Sequence, residues 1–180
     1  VVVPVHGNEL SSVIGKRLFV SIDQEGARST VDRYVQMYEK NGRYFPEEVQ
    51  REEYRGVMLG TYPFHPTLID FLNEKLATLE TFQGTRGVLR VLSLAVRSIW
   101  KNRLNVPMIH GCHLDFHDVR TADEIIGRTQ NNGLLPVLNA DIGAPDTENL
   151  EGKLSNAQLA DIENPHPDKI PMHEYSWRTI

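Results

Sequence analysis

TFQGTRGVLRVLSLAVRSIW, residues 81–100, decides how this chain folds. Thr85 reads as the cap of a helix that runs to about Arg103. On a wheel of about 100° per residue with Arg86 at zero, Arg90 falls at about 40°, Arg97 at about 20° and Lys101 at about 60°. Val88, Leu89, Leu92, Ala95, Val96, Ile99 and Trp100 fill the opposite arc. The stretch therefore predicts one packed face and one cationic stripe. Gly87 sits in the first turn, where glycine costs about 1 kcal/mol against alanine. Two readings fit that cost: close packing against the neighbouring helix, or close approach of a ligand or another backbone. The stripe likewise has two readings. It is a solvated face, or an anion site where arginine forks and the helix start hold a phosphate.

The rest of the chain reads as mainly α-helical. There are 180 residues, enough for one domain or two small ones, 40% of them hydrophobic and 24% charged. A net charge of −5 excludes a chain that is basic throughout, though not a local basic face. The single cysteine excludes an internal disulfide, and a reducing cytoplasm is the expected location. No apolar run is long enough for a membrane span. The opening VVVPVHGNEL has neither a signal peptide's basic head nor an initiator methionine, so a fragment of a longer protein is expected.

Asn8 is a candidate cap for a helix to about Arg17, and RLFVSI then reads as extended. Ser29 or Thr30 opens a helix that Gly42 ends, with Val31, Tyr34, Val35 and Tyr38 on one face. Pro46 starts the helix PEEVQREEYRGVMLG. TYPFHP is a rigid connector. PTLIDFLNEKLATL follows, with Leu68, Ile69, Leu72 and Leu76 inward. After Asn105, VPMIHGCHLDF and LLPVLNADIGAPD read as extended. DVRTADEIIGRTQNNG reads as a helix with an Asp cap and a Gly stop. TENLEGKLSNAQLADI reads as helical, and ENPHPDKIP as a loop. The expectation is a helical bundle over 1–105 and a smaller mixed α/β region over 106–180.

GVLR, Gly87 to Arg90, resembles the Gly-x-x-Arg of the sensor-two helix in AAA+ ATPase lids. SIDQEGARSTVDRYVQMY, YPFHPTLIDFL and FQGTRGVLRVLSLAV resemble the C-terminal ATPase region of a prokaryotic family, domain of unknown function 499. Its members are AAA+-like ATPases often encoded beside DNA methyltransferases in defence loci. The likeness extends through IGKRLF and weakly through VLNADI. It implies that residues 1–105 hold the end of the ATPase core plus a helical lid of the AAA+ type, with an accessory region over 106–180. It implies ATP and Mg²⁺ in the parent protein, and nucleotide contacts from Arg90, Arg86 and Gly87. Arg17 would be an arginine finger between subunits of a homo-oligomer, or else an ordinary surface arginine. The implied partners are an upstream P-loop core, and DNA or a DNA-modifying protein, with no membrane. The chain has no Gly-x-x-x-x-Gly-Lys-Ser/Thr loop and no apolar strand ending in Asp-Glu, so it should not hydrolyse ATP alone. The alternative is a non-enzymatic helical module that binds nucleic acid or a partner protein through the stripe.

HGCHLDFH, residues 110–117, holds His110, Cys112, His113, Asp115 and His117. That density suggests zinc, but no second ligand pair has the required spacing, so structural or surface histidines are expected and no metal site. His65, between two prolines, is expected to cap the Pro66 helix or to bond inside the fold.

Overall fold

The computed structural model describes residues 14–15, 17–143 and 154–179, without the side chain of Asn132. The described residues hold α-helices joined by single 3-10 and π turns, and no strand. The expected Asn8 helix start and the whole of TENLEGK lie outside the described residues. The chain forms two compact units, Val1–Leu72 with Asn105–Ile109, and Asn73–Leu104 with His110–Ile180.

In the first unit, α1 (Gln24–Lys40) begins earlier than Ser29 because Asp23 caps it, its carboxylate accepting from the Glu25 N–H. Asn41 rather than Gly42 ends it, donating from both backbone and side chain to the Met37 carbonyl. Ala27, Val31 and Tyr38, at helical spacing, are buried. The helix expected from Pro46 is split. Glu47–Gln50 is a 3-10 turn, Arg51 is extended, and α2 (Glu52–Thr61) follows. Gln50 explains the break, since its amide bonds the carbonyls of Gly42 and Phe45. Val31, Tyr38, Met58 and Met108 form the buried centre of this unit. Each such side chain contributes about 1.5–3 kcal/mol.

The connector Tyr62–His65 pairs with the returning strand-like segment. His65 N–H donates to Ile109 O at 2.9 Å, and Ile109 N–H donates to Pro63 O at 2.8 Å. His65 does both things the sequence left open. Its Nδ1 accepts from the Thr67 N–H and so caps α3 (Pro66–Phe71). Its Nε2 lies 2.8 Å from the Tyr38 hydroxyl. Leu68, Ile69, Leu72 and Leu76 are all buried, as their spacing predicts.

In the second unit, α4 (Thr85–Asn102) is the long helix of the opening stretch. Gly84 is its N-cap, so Thr85 lies one residue inside, and Arg103 ends it at φ 53°. The buried face is Val88, Val91, Leu92, Ala95 and Ser98. Trp100, expected inward, is 85% exposed, because the core stripe passes the other side of the last turn. α5 (Val119–Ala122) continues as a π turn over Asp123–Gly127, capped by Asp118 as expected. Gln130, at φ 58°, takes the place of the expected glycine stop.

The mixed α/β character expected beyond Asn105 is not found among the described residues. Gly111–His113 is a 3-10 turn, and LLPVLNAD is α6 (Leu135–Asp141), with its proline in the first turn where a fixed φ suits a helix. Ser155 and Gln158 form a capping box at the start of α7 (Asn156–Glu163). A final helix, α8 (Met172–Thr179), was not expected from the sequence. It packs on α7 and on the Gly111–His113 turn.

Candidate functional site

The start of α4 gathers three of the residues that the resemblance marks. Gly84 offers no side-chain cap, and Gln83 and Gly84 both have positive φ, so the chain enters the helix through a tight turn. Arg86 is exposed in the first turn and has no acidic partner among the described residues. Gly87 is buried, and a Cβ there would stand 2.1 Å from the Phe82 carbonyl oxygen and 2.5 Å from the Phe82 ring. The space that glycine keeps open is filled by Phe82, which is itself fully buried.

Arg90 turns its guanidinium back along the same turn. Nε donates to Glu124 Oε1 at 2.6 Å, and the terminal nitrogens donate to the Phe82 carbonyl at 3.1 Å and to the Gln83 side chain at 3.3 Å. Glu124 also takes Arg128 at 2.7 Å. Arg128 donates to the Thr81 carbonyl at 3.0 Å, and the Thr81 hydroxyl donates back to the Arg128 carbonyl. The result is a closed polar ring through Phe82, Arg90, Glu124, Arg128 and Thr81. It fixes the 81–84 turn between α4 and the π turn after α5.

Further along the stripe, Arg97 pairs with Asp118, which also caps α5 through the Arg120 N–H. Lys101 is exposed and unpaired among the described residues. Two of the four stripe cations are thus neutralised within the unit. Arg17 is exposed in the first unit and also has no acidic partner among the described residues.

The histidine cluster is held by backbone bonds. The His110 N–H donates to His113 Nδ1 at 2.9 Å, and the His113 N–H is returned to the His110 side chain. Burial pushes both imidazoles down to about 4, with the two rings 5.9 Å apart and Arg178 adding to the effect at His113. Burial also pushes the Cys112 thiol up, which keeps it protonated. His117 pairs with Glu174 at 2.9 Å. No group of three or more metal-ligating side chains converges among the described residues. No described helix is long and apolar enough to cross a membrane.

Sequence reasoning found the arginines but not their partners. Glu124 lies 34 residues from Arg90, and nothing local marks it as the acceptor. The acids of DVRTADEIIG, at helical spacing beside a basic helix, were the available signal. No curated protein and no solved structure matches the chain. The family described as "DUF499 second domain" matches residues 6–164. That match spans well over half of the sequence, and the chain therefore belongs to the DUF499 family, within its second domain.

Proposed function

We propose that this domain is a non-hydrolytic helical part of an AAA+-like, P-loop ATPase, and that the start of α4 responds to nucleotide phosphate held by a P-loop core. The observation that carries the reading is Arg86. It is an exposed cation in the first turn of an 18-residue helix whose N-cap has no side-chain bond, and no acid among the described residues neutralises it. A helix start of that kind favours negative charge through its free N–H groups and its dipole. Arg90 then acts as a positioning residue. Its bonds to Phe82 and Glu124 hold the turn on which Arg86 is presented. An arginine beside the transferred phosphoryl offsets the charge that develops there, and Mg²⁺ and ATP would be bound by the core. Loss of that contact after hydrolysis shifts the balance between two domain arrangements. Arg17, exposed, is the second cation of this reading and would act across a subunit boundary in a homo-oligomer. A DNA-related or defence complex is the setting that the family resemblance supports.

The other reading is a non-enzymatic module that binds nucleic acid or a protein through the stripe. It has less behind it, because Arg90 and Arg97 already have carboxylate partners. The test uses the protein that carries a P-loop together with this domain. Arg86→Ala should lower ATP turnover about tenfold or more, while the 180-residue chain bearing the same change melts at its normal temperature. Turnover equal to that of the parent would overturn the reading.

A further inference from the structure

The second unit contains an open cleft of about 760 Å³, a size that suits a small organic ligand. Three segments wall it: the last two turns of α4, the chain from His113 to Arg120, and one face of α8. Its charges are unequal in one respect. The three acids that line it are all engaged: Asp118 with Arg97, Glu174 with His117 and Arg178, and Asp115 with Ser98 at 3.1 Å and Arg178 at 3.9 Å. Two lining cations, Lys101 and Arg120, have no acidic partner among the described residues. A third donor is also left over. The Arg178 side chain is only 8% exposed, yet its Nε is buried without an acceptor. Buried donors are ordinarily satisfied, so this Nε is an exception beside the cleft. The same walls carry apolar surface from Leu104, Val119 and Pro171, and the Tyr175 ring stands edge-on to His113 at 5.3 Å.

We propose that this cleft binds a small ring-bearing phosphomonoester, of the chemistry of a nucleoside monophosphate, with Lys101 and Arg120 taking the phosphate. Two unpaired cations in one cleft suit a ligand with more than one negative charge. A phosphomonoester is largely dianionic at neutral pH and has three acceptor oxygens. The Tyr175 ring and the aliphatic side chains suit the rest of such a ligand, since binding sites combine mostly apolar walls with a few polar groups that fix orientation. This site is separate from the start of α4, and it does not depend on the ATPase reading.

Calorimetric titration of the 180-residue chain at low salt tests it, with adenosine monophosphate as probe and adenosine and inorganic phosphate as its halves. The nucleotide should bind saturably, and each half should bind at least about tenfold more weakly. Lys101→Ala with Arg120→Ala should weaken the nucleotide by at least about tenfold. Both side chains are exposed, so the fold should survive, and an unchanged melting curve checks that. Arg86→Ala should leave the affinity unchanged. Absence of saturable binding would overturn the inference, as would a double variant that binds like the parent. If Arg86→Ala alone abolished binding, the anion would belong at the start of α4. That result would sink this site and leave the proposed function standing. Phosphate binding as tight as the nucleotide would remove the ring from the ligand class.

Discussion

Gly87 is the residue at which local preference and packing conflict most openly. A helix interior favours alanine by about 1 kcal/mol. The Phe82 carbonyl occupies the space that an alanine methyl needs, at 2.1 Å. Overpacking against backbone costs more than helix propensity returns, because a carbonyl in a fixed turn cannot swing aside as a long side chain does. Gly87→Ala should therefore destabilise the chain by about 2 kcal/mol or more, read from the urea midpoint at constant m-value. A gain in stability would mean that the turn yields. His65 shows a different residue-scale economy. One imidazole caps a helix with one nitrogen and meets a buried tyrosine with the other. Desolvation pushes the Tyr38 hydroxyl well above its ordinary range, and Tyr54 is pushed up to about 12 for the same leading reason. Both phenols stay neutral through the physiological range and serve as hydrogen-bonding and packing groups.

At the scale of elements, the Arg90–Glu124 pair joins α4 to the π turn after α5. Its side chains are 29% and 12% exposed, so the pair is only partly screened by water. Replacing Arg90 with alanine leaves Glu124 with Arg128 alone and takes a donor from the Phe82 carbonyl. The expected loss is about 2 kcal/mol. A double-mutant cycle with Glu124→Gln should give a coupling energy of about 1 kcal/mol. Additive single changes would show that the pair holds nothing together. The elements also show where periodicity could be trusted. The inward faces of α1 and α3 follow their spacing, with Val31, Tyr38, Leu68 and Ile69 buried. Element ends were less legible. Asp23 competed with Ser29 and Thr30 as a cap, and α6 was hidden by a proline that reads as a breaker when the first turn is not recognised. In the candidate site, Arg86, Gly87 and Arg90 could be picked from the sequence, because glycine and arginine stand out in an apolar helix. Their division of labour could not, because it depends on Phe82 and Glu124.

For the molecule as a whole, the half-buried His110 and the buried His113 set a pH dependence. His110 and His113 titrate near 4 in the fold and near the ordinary 6.5 when unfolded. Between those values the unfolded chain binds protons that the native chain refuses. Their contribution to stability is therefore complete above about pH 6.5, and it is lost as the pH falls towards 4. Urea midpoints measured from pH 7 to 4.5 should fall. His113→Gln should flatten that slope even where it lowers stability overall. An unchanged slope would show that the imidazole is free to ionise in the fold.

The sequence by itself determined that this is a mainly helical chain without a P-loop, which faces of α1 and α3 turn inward, and the family to which it belongs. Those features are local or compositional, since helical periodicity, capping and motif spacing are written within a few neighbouring residues. The tertiary structure decided which arginines are spent on the fold and which are left over. Arg90 and Arg97 meet carboxylates 34 and 21 residues away, whereas Arg86, Lys101 and Arg120 meet none among the described residues. Arginines on one helix face are chemically alike in sequence. What separates them is whether packing brings an acid within about 4 Å, and only the fold sets that distance.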